Sequence, residues 1–170
     1  QKELMAGDWG RAKDLGDLRA KILEGVSVDP EGIHGLDTAV TGLLLYREKD
    51  RNKHFRAATP DLIEWATRLE AWDAVAQLNL FLGSAYGLLG QIDEGRPYIL
   101  KALDLAREHR LEQITYILNR LCFLSIRSGT LDQASHYARE SILTAESWGD
   151  TRGVARGYTM LARTHWQSGD

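Results

Sequence analysis

Between Asp73 and Leu89 the side chains of Val75, Leu78, Leu82, Ala85, Tyr86 and Leu89 recur three and four positions apart, the spacing that lines one face of an α-helix. Ile114, Leu118, Leu121, Phe123 and Ile126 repeat the pattern further on. No segment alternates apolar and polar residues as a half-buried strand does, so the chain reads as all-α. Gly90, Gly129 and Gly169 each close a periodic run, where a left-handed residue ends a helix. Asp8, Asp93 and Asp132 follow within reach of the next helix start and are read as its caps. The connections are therefore two or three residues long, which forces consecutive helices to lie antiparallel and touch. Thr59-Pro60 reads as a separate helix start, a capping hydroxyl followed by proline. Pro97 falls past the start of its helix and costs one backbone hydrogen bond there.

The punctuation repeats. Gly90 to Gly129 is 39 residues and Gly129 to Gly169 is 40. "GDWGRA", from Gly7, has the same turn-then-helix phrasing as "GTLDQA". Between these lies a degenerate copy with a first helix over Ile33–Glu48 and a second over Thr59–Trp72. The polar stretch "KDRNKHFRAA", Lys49–Ala58, reads as a long loop joining them. The units are 1–32 (partial), 33–72 (degenerate), 73–110, 111–149 and 150–170 (partial), in one domain over 1–170. The degenerate unit reads either as a true repeat or as an inserted adaptor. Met5 is internal and the chain closes on "QSGD", so both ends read as cut from a longer protein.

Charge and chemistry narrow the functional classes. The net charge of -3, with both signs interleaved, argues against a general nucleic-acid binder, which carries a basic excess. No apolar run approaches the roughly 20 residues of a membrane helix. One cysteine, Cys122, permits no intrachain disulfide and fits a cytoplasmic setting. His34, His54, His109, His136 and His165 show no metal-ligand spacing, and "DPEGIHGLD" has no phosphate-loop lysine. No catalytic residue, metal or cofactor is expected. Trp65, Trp72 and Trp148, on or at the ends of second helices, and Trp166, in the final helix, are read either as exposed by truncation or as a contact surface.

The phrase "LG..Y", then glycine, then a small residue opening the next helix, resembles the tetratricopeptide repeat. In one copy it comprises Leu82, Gly83, Tyr86, Gly90, Gly95, Ile99 and Ala102; in the next, Leu121, Cys122, Ser125, Gly129, Ala134, Ala138 and Ser141. The last retains Leu161, Ala162, His165 and Gly169. Gly83, Cys122 and Ala162 are small where paired helices press together, which assigns Cys122 to helix packing; His165 takes the place of the usual tyrosine. The period exceeds the usual repeat of about 34 residues. It is similar to a long form found in bacterial regulators such as transcription activators and diguanylate cyclases, and in some eukaryotic scaffolds.

The resemblance implies a right-handed superhelix of antiparallel helix pairs whose first helices line a concave, partner-binding face. Projected onto this chain, that face takes Ala39, Leu43, Tyr46 and Arg47; Gln77, Leu80, Ser84 and Leu88; Tyr116, Asn119, Phe123 and Arg127; and Arg156, Thr159, Arg163 and Trp166. It mixes aromatics, amides and arginine and has no carboxylate, so it reads as a groove for an acidic or carboxylate-bearing protein segment with apolar anchors. Alternatively, Tyr116 and Phe123 pack between repeats and the arginines are solvated. The implied role is a non-enzymatic protein- or peptide-binding module, the sensory or scaffolding segment of a bacterial signalling or transcription-regulatory protein. The competing role is homo-oligomerisation through the last helix, by way of Tyr158, Leu161 and Trp166.

Overall fold

The computed structural model describes residues 51–169, and every regular element among them is helical. The helices are α1 (Arg51–Arg68), α2 (Trp72–Leu88), α3 (Ile92–Glu108), α4 (Ile114–Arg127), α5 (Leu131–Ser147) and α6 (Thr151–Ser168). The chain divides into two compact units between Leu78 and Asn79. The readings that rest on Gly7, Asp8 and the first helix of the degenerate copy, with Ala39, Leu43, Tyr46 and Arg47, lie outside the described residues.

In the first unit, Thr59, Leu62, Trp65 and Ala66 form the buried stripe of α1. Two expectations fail here. Residues 51–58 are helix rather than loop, and Pro60 lies inside α1 rather than at its start. The segment is polar, but it contains no glycine and is rich in the helix formers arginine, lysine and alanine. Proline inside a helix costs about 3 kcal/mol, which burial of Leu62, Trp65 and Ala66 offsets.

From Asn79 onward the helices pack in sequence, and α4 also touches α6 directly. The main core gathers Leu80 from α2, Ile99 and Leu103 from α3 and Ile117, Leu118 and Leu121 from α4. A second core joins Cys122 and Ile126 of α4 to Ala134 and Ala138 of α5, with Met160 and Leu161 of α6 packed against it. The α2–α3 pair crosses at two glycines. A Cβ on Gly83 would stand 2.5 Å from the Gly95 carbonyl oxygen, and one on Gly95 would stand 2.5 Å from that of Gly83. Beside this crossing Tyr86 stacks on Tyr98, with ring centroids 5.7 Å apart.

A left-handed residue follows every helix. Gly90, Gly129 and Gly169 are the expected ones, with φ of 83°, 76° and 84°. Glu70, Arg110 and Gly149 do the same work at φ of 53°, 53° and 68°. In five of these turns the next amide donates back to a carbonyl of the helix's last turn, as Gln91 does to Tyr86 at 3.0 Å and Leu111 does to Ala106 at 2.8 Å. A side chain at left-handed φ costs about 1–2 kcal/mol, and glycine returns only part of that through a more flexible unfolded chain. Arg110→Gly should therefore stabilise the protein by about 0.5–1 kcal/mol, read as a higher urea midpoint with unchanged slope.

The caps also differ from expectation. Gln91 and Thr130 precede α3 and α5, and neither makes a side-chain capping bond. Asp93 and Asp132 sit one residue inside the first turn, where a carboxylate still favours the helix dipole. Asp150 is a true cap, its Oδ1 accepting the Gly153 amide at 2.9 Å. Pro97 lies well inside α3, so the Asp93 carbonyl loses its helical partner, in keeping with the expected loss of one bond.

Candidate functional site

Phe123 projects from the middle of α4 with one edge packed on the main core and the remainder open. Three guanidinium groups surround its ring. Arg120 and Arg127, one turn before and one turn after it on α4, each lie 5.9 Å from the ring centroid, and Arg163 of α6 lies 5.2 Å away. Each contact is worth about 0.5–1 kcal/mol at an exposed site. Among the described residues no carboxylate pairs with any of the three. Elsewhere Arg107 of α3 pairs with Glu140 of α5, and His136 Nε2 lies 3.9 Å from the same carboxylate. Three like charges with no paired carboxylate among the described residues form a site of positive potential in a chain whose net charge is negative.

Two of the arginines are held in place. Arg120 Nε donates to Ser84 Oγ at 3.2 Å, and Ser84 in turn donates to the Leu80 carbonyl at 2.7 Å. Arg127 donates to the Gly87 carbonyl at 2.5 Å. Both side chains thus cross from α4 to α2. Beside Arg120 and Phe123 a small pocket opens, lined also by Ser84, Gly87 and Leu88 of α2, Ile99 of α3 and Leu124 of α4.

The projected face is partly assembled. Of the projected residues, Phe123, Arg127 and Arg163 come together, and Ser84 and Leu88 border the pocket beside them. Tyr116 is 40% exposed, and Arg156, Thr159 and Trp166 are exposed along α6. Gln77 is half-buried in the first unit. Leu80 is a correction: at 2% exposure it belongs to the core, because α2 turns that flank toward Ile99 and Leu121 rather than outward. Asn119 is another, at 8% exposure with neither amide atom hydrogen-bonded. A buried, unsatisfied amide costs about 1–3 kcal/mol, so Asn119→Leu should raise stability by roughly that amount, measured by thermal unfolding.

Arg120 was missed. Selecting residues one turn either side of the small packing position skips it, although its place three residues before Phe123 already put it on the aromatic's flank. His165 is exposed rather than packed.

Cys122 is buried at the α4–α5 contact, as its place in the repeat implied, with its sulfur 3.9 Å from Thr164 Oγ1. Burial pushes its pKa up, against opposing pulls from the Thr164 hydrogen bond and the Arg163 charge. The thiol therefore stays protonated at neutral pH and is a packing group rather than a nucleophile.

Among the described residues no helix is long and apolar enough to cross a membrane. Residues 76–109 match the family model of the tetratricopeptide repeat, a span covering most of α2 and all of α3 with their glycine crossing. No curated protein matches the chain. Tetratricopeptide repeats stack helix pairs into surfaces that mediate protein–protein binding.

Proposed function

We propose, from the tetratricopeptide repeat at residues 76–109, that the chain is a protein-interaction module holding an acidic segment of a partner against Phe123. The observation that carries this reading is the set of three guanidiniums, Arg120, Arg127 and Arg163, around one half-open aromatic ring, with no carboxylate paired to them among the described residues. Arginine presents a planar fork of donors to carboxylates, and the ring supplies rigid apolar contact. The module works by binding, with no catalysis and no cofactor. The longer spacing of its glycines fits the sensory or scaffolding part of a cytoplasmic bacterial signalling or transcription-regulatory protein.

The test is titration of the protein with a short capped glutamate-rich peptide carrying one leucine, beside its glutamine counterpart. The acidic peptide should bind, weakening as salt screens the charges. Equal affinity for the two peptides, or none for either, would sink the reading.

Self-association through α6 is the second reading. Trp166 is 84% exposed and Tyr158 is 54% exposed. Ala162, in the repeat position of the covered Gly83 and Cys122, is also exposed. Leu161, expected to join that surface, instead packs on the second core. Sedimentation that is concentration-dependent in the wild type and monomeric in Trp166→Lys would favour this reading.

A further inference from the structure

We infer that the contact between α4 and α6 is a two-state latch, closed by an anion at the three arginines and loosened when the anion leaves. This rests on the acidic-partner reading and adds its regulation: occupancy of the site and docking of α6 form one equilibrium. The fit of α6 is unequal on its two sides. Against α5 it is close, since a Cβ on Gly157 would stand 2.5 Å from Ile142 Cγ1 and one on Gly153 would stand 2.9 Å from Ala145 Cβ. Toward α4 it is looser. Met160 and Leu161 are only partly buried where they pack on the second core. Cys122 Sγ and Thr164 Oγ1 meet at 3.9 Å, a weak bond.

Two costs fall on the α4 side. Cys122 and Phe123 both face α6, the first at Thr164 and the second at Arg163. Asn119, three and four positions before them, shares that flank. Its buried amide has no hydrogen-bond partner among the described residues, and undocking of α6 lets water reach it. The second cost is charge. Docking brings Arg163 to the ring that Arg120 and Arg127 already approach, so one ring quadrupole is shared by three cations that repel one another. Undocking separates Arg163 from the other two, which Ser84 and the Gly87 carbonyl hold toward α2. An anion reverses the balance. It meets all three guanidiniums together only in the docked form, binds that form more tightly and shifts the population toward it. The motion is a pivot of α6 on its close contact with α5.

The test is hydrogen exchange of the full chain at low salt, read by mass spectrometry, with α6 compared against α3 as internal reference. Arg163→Gln removes the charge and should slow exchange in α6 about threefold, with α3 unchanged. Arg163→Lys keeps the charge and should not slow it. A saturating amount of the glutamate-rich peptide should slow α6 about tenfold in the wild type, and much less in Arg163→Gln. Exchange that is unchanged or faster in Arg163→Gln, or slowed equally in both variants, overturns the inference. Peptide that binds and leaves α6 exchange unchanged overturns it too, and leaves the acidic-partner reading standing. If the peptide does not bind, that reading falls, and the latch falls with it.

Discussion

Reversing Arg127 and Arg163 together to glutamate should weaken binding of the acidic peptide by about 2–5 kcal/mol, a factor of roughly thirty to several thousand in Kd. Two effects add. The variant loses two attractive charges beside Phe123, and it places two repulsive ones where the ligand's carboxylates approach. Folding should suffer much less. Both arginines are exposed, and neither has a carboxylate partner to strand. The new carboxylates would also relieve the like-charge crowding that Arg120 shares with them. Loss of the Arg127 bond to the Gly87 carbonyl is the main structural cost, about 1 kcal/mol. Calorimetric titration gives the first quantity and a urea melt the second. An affinity unchanged in the double variant would remove the cationic face from the account of binding, whatever the melt showed.

Gly83→Leu should destabilise the protein by about 4 kcal/mol or more, the largest single-site effect expected on folding. A Cβ there meets the Gly95 carbonyl oxygen and Ile99 Cγ1, both at 2.5 Å. The first of these is backbone and cannot rotate aside, so α2 and α3 must separate, which opens the core around Leu80 and Ile99. Helix propensity pulls the other way by about 1 kcal/mol, since leucine is a better helix former than glycine. Steric exclusion wins because it acts on a whole helix contact rather than on one residue's backbone. Gly129→Ala is the control. It places a side chain at φ of 76° in open space and should cost about 1 kcal/mol. Equal losses for the two variants in urea denaturation would refute the close crossing.

Helix existence and pairing were readable from local chemistry. Apolar spacing in Val75–Leu89 and Ile114–Ile126 marked two first helices, and Gly90 and Gly129 marked their ends, because left-handed φ favours a residue without a side chain. Small residues at Gly83, Cys122, Gly95 and Ala134 announced the crossings for the same reason: nothing larger fits where two backbones meet. The ends after α1 and α3 were not readable, because Glu70 and Arg110 take the left-handed conformation without the residue type that advertises it. The helical character of residues 51–58 was hidden by a proline that the surrounding packing tolerates.

The site divided along the same line. Sequence placed arginine and phenylalanine on one helix face, since positions three and four apart are neighbours on any helix. It could not rotate that face to show that Leu80 and Asn119 turn inward, nor that Arg163 of another helix reaches the same ring as Arg120 and Arg127. The rotation of a helix about its own axis and the reach of a long side chain across to a neighbour depend on how the helices pack, which periodicity along one segment does not encode. Residue types and their spacing along the chain thus determined the helical repeat and its capacity for binding. Tertiary packing alone decided which cations gather around Phe123.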